Sequence, residues 1–221
     1  MTGNERTAAT ETAVAKRAPR GRAGSARKNG PGLKHEDKRI AILRTAAQLF
    51  AEKGYEATSL DNIAERLGMH KATLYHYVDN KESILYQCLV LSFADLDEVI
   101  EKTKDRSIPV LERLRLYVRS LALAQNSDFG RCLVLVGSRP LEMTQGGDVR
   151  QFQRRLDATV RDLITEGIAD GSIKPCDPSM FSALLFGALN WVPRWHSASG
   201  KLSVQQVADT FMDMVINGIK R

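Results

Sequence analysis

The sequence predicts an all-α protein, on three observations. From residue 36 onward, apolar residues recur at helical spacing nearly throughout. Helix-start signatures precede several of these runs, and glycines and prolines separate them. No stretch alternates polar and apolar residues as a half-buried strand would, and no internal repeat is present.

Ile40, Leu43, Ala47 and Phe50 form the apolar face of a first helix, which Gly54 can close in the left-handed conformation. Thr58-Ser59-Leu60-Asp61 supplies a capping-box start; Ile63, Ala64 and Leu67 give the next apolar face, and Gly68 ends it. A short helix is predicted over His70–Val78. Asp79-Asn80-Lys81-Glu82 then starts a longer helix with a second capping box. Further helices are predicted near 110–126, 131–138, 149–169, 178–197 and 203–219. Pro109, Gly130, Pro140, Gly146, Gly147, Gly171, Pro175, Pro178 and Gly200 punctuate them.

Charge is distributed unevenly. Residues 1–34 carry eight basic and two acidic side chains, which accounts for the entire formal charge of +6 and leaves the rest of the chain neutral. A nucleic-acid-binding surface must therefore be a local patch, because the body is not basic as a whole. The same segment lacks apolar periodicity and is expected to be a disordered tail, either solubilising or a basic arm for DNA backbone or minor groove. The chain divides into this tail, a first helical unit over 35–82 and a longer helical unit over 83–221.

Several function classes recede on the same reading. No run of 18 apolar residues offers a membrane span. The polar stretch Met1 to Thr12 lacks the apolar region of a secretory signal. Cys88, Cys132 and Cys176 are too widely spaced for a disulfide framework or a metal site, which fits a reducing, cytoplasmic setting. There is no nucleophile elbow, phosphate-binding loop or dinucleotide fingerprint, and His35, His70, His76 and His196 have no partner at ligand spacing. No catalysis, cofactor or metal is expected.

The informative segment runs from Thr58 to Leu85. Two short helices joined through Gly68 make a helix-turn-helix, in which the first braces the DNA backbone and the second enters the major groove. In the second helix Leu74 and Val78 lie four apart and point inward toward Ile63, Leu67 and Phe50. Rotation by about 100° per residue puts Ala72, Thr73 and His76 on the outer arc, with Tyr75 and Tyr77 flanking it. Lys71 sits in the first turn. These side chains suit contacts to base edges and phosphates. Thr58 and Ser59 offer hydroxyls and helix N-terminal amides to a phosphate, and Lys81 offers an ammonium. The plainer alternative is that Lys71 and Lys81 are merely solvated.

These residues, in one register over about 50 positions, resemble the TetR family. The resemblance is carried by Phe50-Ala51-Glu52-Lys53-Gly54-Tyr55, Thr58-Ser59, Ile63-Ala64, Gly68-Met69-His70, Thr73-Leu74-Tyr75-His76-Tyr77-Val78 and Asn80-Lys81-Glu82. His70 stands where the family commonly has a serine cap, and Val78 where it has phenylalanine. The resemblance implies a dimeric repressor that leaves a palindromic operator when a small inducer enters the C-terminal helical domain. An activator or a multidrug-type sensor on the same scaffold is the alternative.

For the C-terminal part, Ala183, Phe186, Gly187 and Asn190 share a face of the penultimate helix. Val204, Val207, Ala208, Phe211, Met214, Val215 and Ile219 form a stripe on the last. The resemblance implies that these faces build a two-fold four-helix bundle. Trp191, Arg194 and Trp195, around a proline at 193 expected to kink the helix, are candidate cavity residues, with Arg131 or Arg194 receiving an anion; the plainer alternative is that the two tryptophans are core or interface aromatics. Gly187-Ala188-Leu189-Asn190-Trp191, Arg194-Trp195 and Leu202-Ser203 are similar to the end of acyl-CoA-responsive regulators, which implies an acyl-CoA as inducer.

Overall fold

A computed structural model describes residues 31–219, and over that range the chain is all-helical. The helices are α1 (Pro31–Lys53), α2 (Leu60–Arg66), α3 (Lys71–Leu74), α4 (Lys81–Lys102), α5 (Val110–Asn126), α6 (Asp128–Val136), α7 (Gly146–Ala169), α8 (Pro178–Trp195) and α9 (Val204–Ile219), with a 3-10 turn at Arg139–Leu141. The expectation of a disordered tail falls largely outside the described residues. Its last four residues are instead the first turn of α1, where Pro31 occupies the first position, one that needs no amide donor.

Local chemistry explains the helix ends, with some corrections. The capping box of α2 is Ser59 with Asn62, and that of α4 is Asn80 with Ser83, each one residue later than the sequence pattern suggested. His70 caps α3 without a side-chain hydrogen bond, and the regular helix is only four residues long. It continues as a turn, in which the Tyr77 amide donates to the Leu74 carbonyl (2.9 Å) and the Val78 amide to the same oxygen (3.2 Å). Gly68 has φ +62, the left-handed value that sets α2 and α3 at an angle.

Gly130 plays a part the sequence did not reveal. It does not end a helix but lies inside α6, where a β-carbon would come within 1.9 Å of the Ala124 carbonyl oxygen. Only glycine lets α6 turn back this tightly on the end of α5. Ser127 secures the corner by accepting from the Gly130 amide (3.1 Å). Gly146 and Gly147 likewise lie within α7, which begins three residues earlier than predicted. Pro178 opens α8 under an Asp177 cap, and Pro193 falls in that helix's last turn.

Two apolar clusters form the interior. One joins α1, α2, α3 and the start of α4 around Leu43, Phe50, Ile63 and Leu74, all at most 1% exposed, and extends to Cys132 on α6 and Val149 on α7. The other joins α4, α5, α7, α8 and α9 around Tyr117, Leu121, Val160 and Met212. Phe93 packs against both, and its ring stacks on Phe152 with centroids 3.7 Å apart. Each fully buried large side chain contributes roughly 1.5–3 kcal/mol over its exposed state. Thus α4 runs without a break from the helix-turn-helix into the larger bundle, and α6 packs on α1.

Arg113 is the buried charge of the bundle. It is 3% exposed, donates to both carboxylate oxygens of Glu166 (2.5 and 3.1 Å), and also donates to the carbonyls of Thr103 (2.9 Å) and Ile108 (2.8 Å). These bonds tie the α4–α5 connection to α7. The hydrogen bond from Arg113 holds the Glu166 carboxyl below its ordinary value of 4.5. A carboxyl with a lowered folded pKa contributes stability that is complete above its unfolded value and disappears as pH falls through the folded one.

Arg113→Ala is therefore expected to cost roughly 3 kcal/mol in urea unfolding at neutral pH. The gap from wild type should narrow as pH drops below the ordinary carboxylate range; a gap constant down to strongly acidic pH would argue against the ion pair. A second expectation concerns Thr58, which is 1% exposed and whose hydroxyl donates to the Gly54 carbonyl (2.8 Å). Thr58→Val should lower stability by about 1–2 kcal/mol, whereas Thr73→Ala on the exposed face should stay within about 0.5 kcal/mol of wild type. Equal effects in denaturant titrations would show that Thr58 does not brace the loop.

Candidate functional site

The reading face begins with the loop after α1. Thr58 is turned inward, its hydroxyl serving the Gly54 and Leu49 carbonyls. The sequence expectation that this hydroxyl meets a phosphate is not matched by its packing. Ser59 is exposed, and its side chain accepts from the Asn62 amide (3.1 Å) as the α2 cap. On α3 and the turn after it, Lys71, Ala72, Thr73, Tyr75 and His76 are exposed, while Leu74 and Val78 are buried against α1 and α2. The outer arc derived from helical rotation is thus the solvent face.

Besides Thr58 and Ser59, three more of the candidate side chains are already engaged. Tyr77 is half-buried and stacks on His35 of α1, with ring centroids 4.5 Å apart. Lys71 Nζ pairs with Asp61 at 2.8 Å across the α2–α3 turn. That contact is exposed and screened, so a phosphate can compete for the ammonium at little cost. Lys81 Nζ donates to the Tyr55 carbonyl (2.9 Å) and lies 4.6 Å over the Tyr55 ring. It anchors the start of α4 to the loop after α1.

The second feature is a cavity of about 660 Å³ inside the larger bundle. Its wall is mainly apolar, from Phe93 of α4, Leu133 of α6, Leu141 of the 3-10 turn, Phe152 and Leu156 of α7, and Phe186 of α8. Trp191 and Arg194 belong to it as expected, with the guanidinium 5.6 Å from the Trp191 ring centroid. Arg131 and Trp195 do not. Arg131 donates to the His196 carbonyl (3.2 Å), and Trp195 is exposed, with its ring edge near His196. Most of the aromatic and aliphatic wall was missed, because Val149, Phe152 and Leu156 on α7 have the spacing of any core-facing helix.

Polar groups enter the cavity at defined points. Gln125 of α5 donates from Nε2 to Asn190 Oδ1 of α8 (2.8 Å). Asp157 of α7 accepts from Ser182 Oγ (2.6 Å) and from Arg161 (3.1 Å). Among the described residues no group of His, Cys, Asp and Glu is placed to hold a metal ion. Cys88 and Cys132 are buried thiols, and burial pushes that of Cys132 up to about 12 and that of Cys88 higher still.

On the outside of the bundle, Met180, Leu184, Trp191 and Trp195 of α8 are all more than half exposed and recur at helical spacing. Of the stripe anticipated on α9, Ala208 is buried in the protomer's own core, Val204, Phe211 and Ile219 pack partly against that core, and Met214 is exposed; Met212 and Ile216, on the inward side of the same helix, are buried. On α8, Phe186 faces the cavity rather than the outside. No described helix is long and apolar enough to cross a membrane.

Residues 42–88 match the family of bacterial regulatory proteins of the tetR type, and residues 107–219 match the tetracyclin repressor-like C-terminal domain. The HTH-type transcriptional repressor KstR2 of Mycolicibacterium smegmatis is 27% identical over 186 residues, covering 82% of this chain and 90% of that protein. The ketosteroid transcriptional regulator KstR2 of Mycobacterium tuberculosis superposes with a TM-score of 0.77 at 23% identity, over 83% of this chain and 95% of that one, a likeness of fold. AibR in complex with isovaleryl coenzyme A and operator DNA superposes at 0.67 with 27% identity, over 80% and 97% of the two chains. These relatives are transcriptional regulators. With its helix-turn-helix matched by one description and just over half of its length by the other, this chain belongs to the TetR family.

Proposed function

We propose that the protein is a homodimeric repressor that binds a pseudo-palindromic operator and releases it when an acyl-CoA enters the bundle cavity. The observation that carries this reading is the position of α6. One face contributes Leu133 and Val134 to the cavity; Cys132 on the same helix is buried in the core built by α1, and Asp128 pairs with Arg44 of α1 at 3.1 Å. The cavity and the reading head therefore share a helix. The complex of AibR with isovaleryl coenzyme A and operator DNA supports the ligand class.

Residues 35–82 serve as the DNA-binding unit and 83–221 as the ligand-binding and dimerisation unit. Ala72, Thr73, Tyr75, His76 and Tyr77 face base edges, and Ser59, Lys71 and the backbone amides near Thr58 face phosphates, with Lys81 bracing the loop beside them. The acyl group lies among Phe93, Phe152 and Phe186, and Arg194 meets an anionic group of the coenzyme. A ligand shifts the equilibrium only if it prefers the state with wrongly spaced reading heads. Filling the cavity presses on α4 and α6 together. Both are fixed to the reading unit, so its distance from its dimer mate departs from the roughly 34–36 Å between successive major grooves. The protein acts in the cytoplasm, where operator DNA lies, and no catalytic step enters.

Fluorescence anisotropy on an operator fragment tests this directly. Micromolar acyl-CoAs of graded chain length should release the DNA, and Thr73→Ala should weaken cognate binding by about 1–3 kcal/mol with little effect on random DNA. Release by flat cationic drugs with no response to any acyl-CoA would overturn the ligand class and favour a multidrug-type sensor. For the dimer, the exposed stripe of α8 is the better target than the half-buried Phe211. Leu184→Glu should yield monomers in sedimentation and weak operator binding; a variant that stays dimeric would place the interface elsewhere.

A further inference from the structure

The helix-turn-helix unit is short of the charge that DNA attracts. Residues 35–82 carry seven basic and eight acidic side chains, a net charge of −1. Four of the seven cations, Arg39, Arg44, Arg66 and Lys71, are paired with carboxylates, and Lys81 is turned to the Tyr55 carbonyl. Yet cations that meet the DNA backbone supply a large share of protein–DNA affinity. The missing charge lies immediately before this unit: residues 12–34 carry seven basic side chains and no acidic one. The fold determines where that segment joins the reading head. His35, in the second turn of α1, stacks on Tyr77 with ring centroids 4.5 Å apart. The first residue of α1, Pro31, is one helical turn earlier, roughly 6 Å along the axis, so the basic segment enters the fold beside the reading turn.

We propose that residues 16–28 are a minor-groove arm, in which Arg20 and Arg22 enter an A·T-rich minor groove adjoining each half-site of the operator. This rests on the reading of the chain as an operator-binding protein and adds a second DNA contact to it. The arm precedes the described residues; its sequence supplies the chemistry. In an extended chain residues two apart point to the same side, so Arg20 and Arg22 enter one groove together, and Gly21 between them lets the backbone approach the groove floor. The A·T minor groove is narrow and strongly negative, and it lacks the amino group that guanine projects into it, so it accepts a guanidinium more readily than a G·C stretch does. Reach is sufficient. The chain from Arg22 to Pro31 spans up to about 30 Å. The next minor groove lies half a helical turn, roughly 17 Å, along the duplex from the major groove that α3 reads. Basic arms enter the minor groove beside the major groove in other helix-turn-helix readers.

The test starts from the operator that the full chain selects out of a random-sequence duplex pool. Fluorescence anisotropy then compares versions of that duplex with A·T, G·C or inosine·C pairs flanking each half-site. Inosine lacks the guanine amino group, so inosine·C presents the minor groove of an A·T pair and the major-groove edge of a G·C pair. Wild type should bind the A·T and inosine·C duplexes alike and the G·C duplex roughly 10-fold more weakly. The double variant Arg20→Ala/Arg22→Ala should bind all three equally, at least roughly 10-fold more weakly than wild type binds the A·T duplex. Its slope of log affinity against log salt should be shallower by up to roughly 0.9 for each cation removed. Thr73→Ala should weaken binding to all three duplexes and keep the flank preference, which separates the arm from the reading helix. Equal wild-type affinity for the three duplexes, a loss on inosine·C as large as on G·C, or a flank preference that survives the double variant overturns the arm and leaves the helix-turn-helix as the operator reader. A pool from which no sequence is enriched overturns both.

Discussion

The packing of α6 between α1 and the cavity is the constraint on which the rest of the structure depends. This nine-residue helix can occupy that position because Gly130 lets it fold back against the end of α5, where any β-carbon would strike the Ala124 carbonyl. From there it contributes Cys132 to the core of the reading unit and Leu133 and Val134 to the cavity wall. A close-packed interior does not deform smoothly, so a ligand that displaces one face of α6 must also act on what the other face touches. The coupling invoked in the proposed function is in this sense a consequence of packing density together with one glycine.

Electrostatics are used locally rather than globally. Apart from the basic N-terminal segment, the chain is neutral, and the cations near the reading face are each held: Lys71 by Asp61, Lys81 by the Tyr55 carbonyl and ring. Such pairing orients the side chains in advance. The exposed pair gives up little when exchanged for phosphate, whereas Lys81 is better regarded as a strut between the first helix and α4. In the bundle, Arg113 does comparable work at greater depth, with its donors divided among two carbonyls and one carboxylate. The cavity wall is instead mainly apolar, and Gln125 of α5 and Asn190 of α8 bond to one another there.

The sequence by itself determined the helical class, the order of the elements and the reading head. The periods of its apolar residues and its glycine and cap residues are local properties, set within a few positions of one another, and they placed α5 at its observed bounds and Leu74 and Val78 inward with Thr73 and His76 outward. Only the tertiary structure decided which apolar stripe is core, which is cavity wall and which is left bare. Phe152 on α7, Phe186 on α8 and Met212 on α9 have the same spacing and chemistry in the sequence, yet the first two face a cavity and the third is sealed at 0% exposure. The same limit applies to polar groups: Thr58 and Arg131 read as free binding groups in the chain, and both are committed to backbone carbonyls in the fold. Periodicity reports that a face is buried. What buries it depends on segments tens of residues away, and that information exists only once the helices have packed.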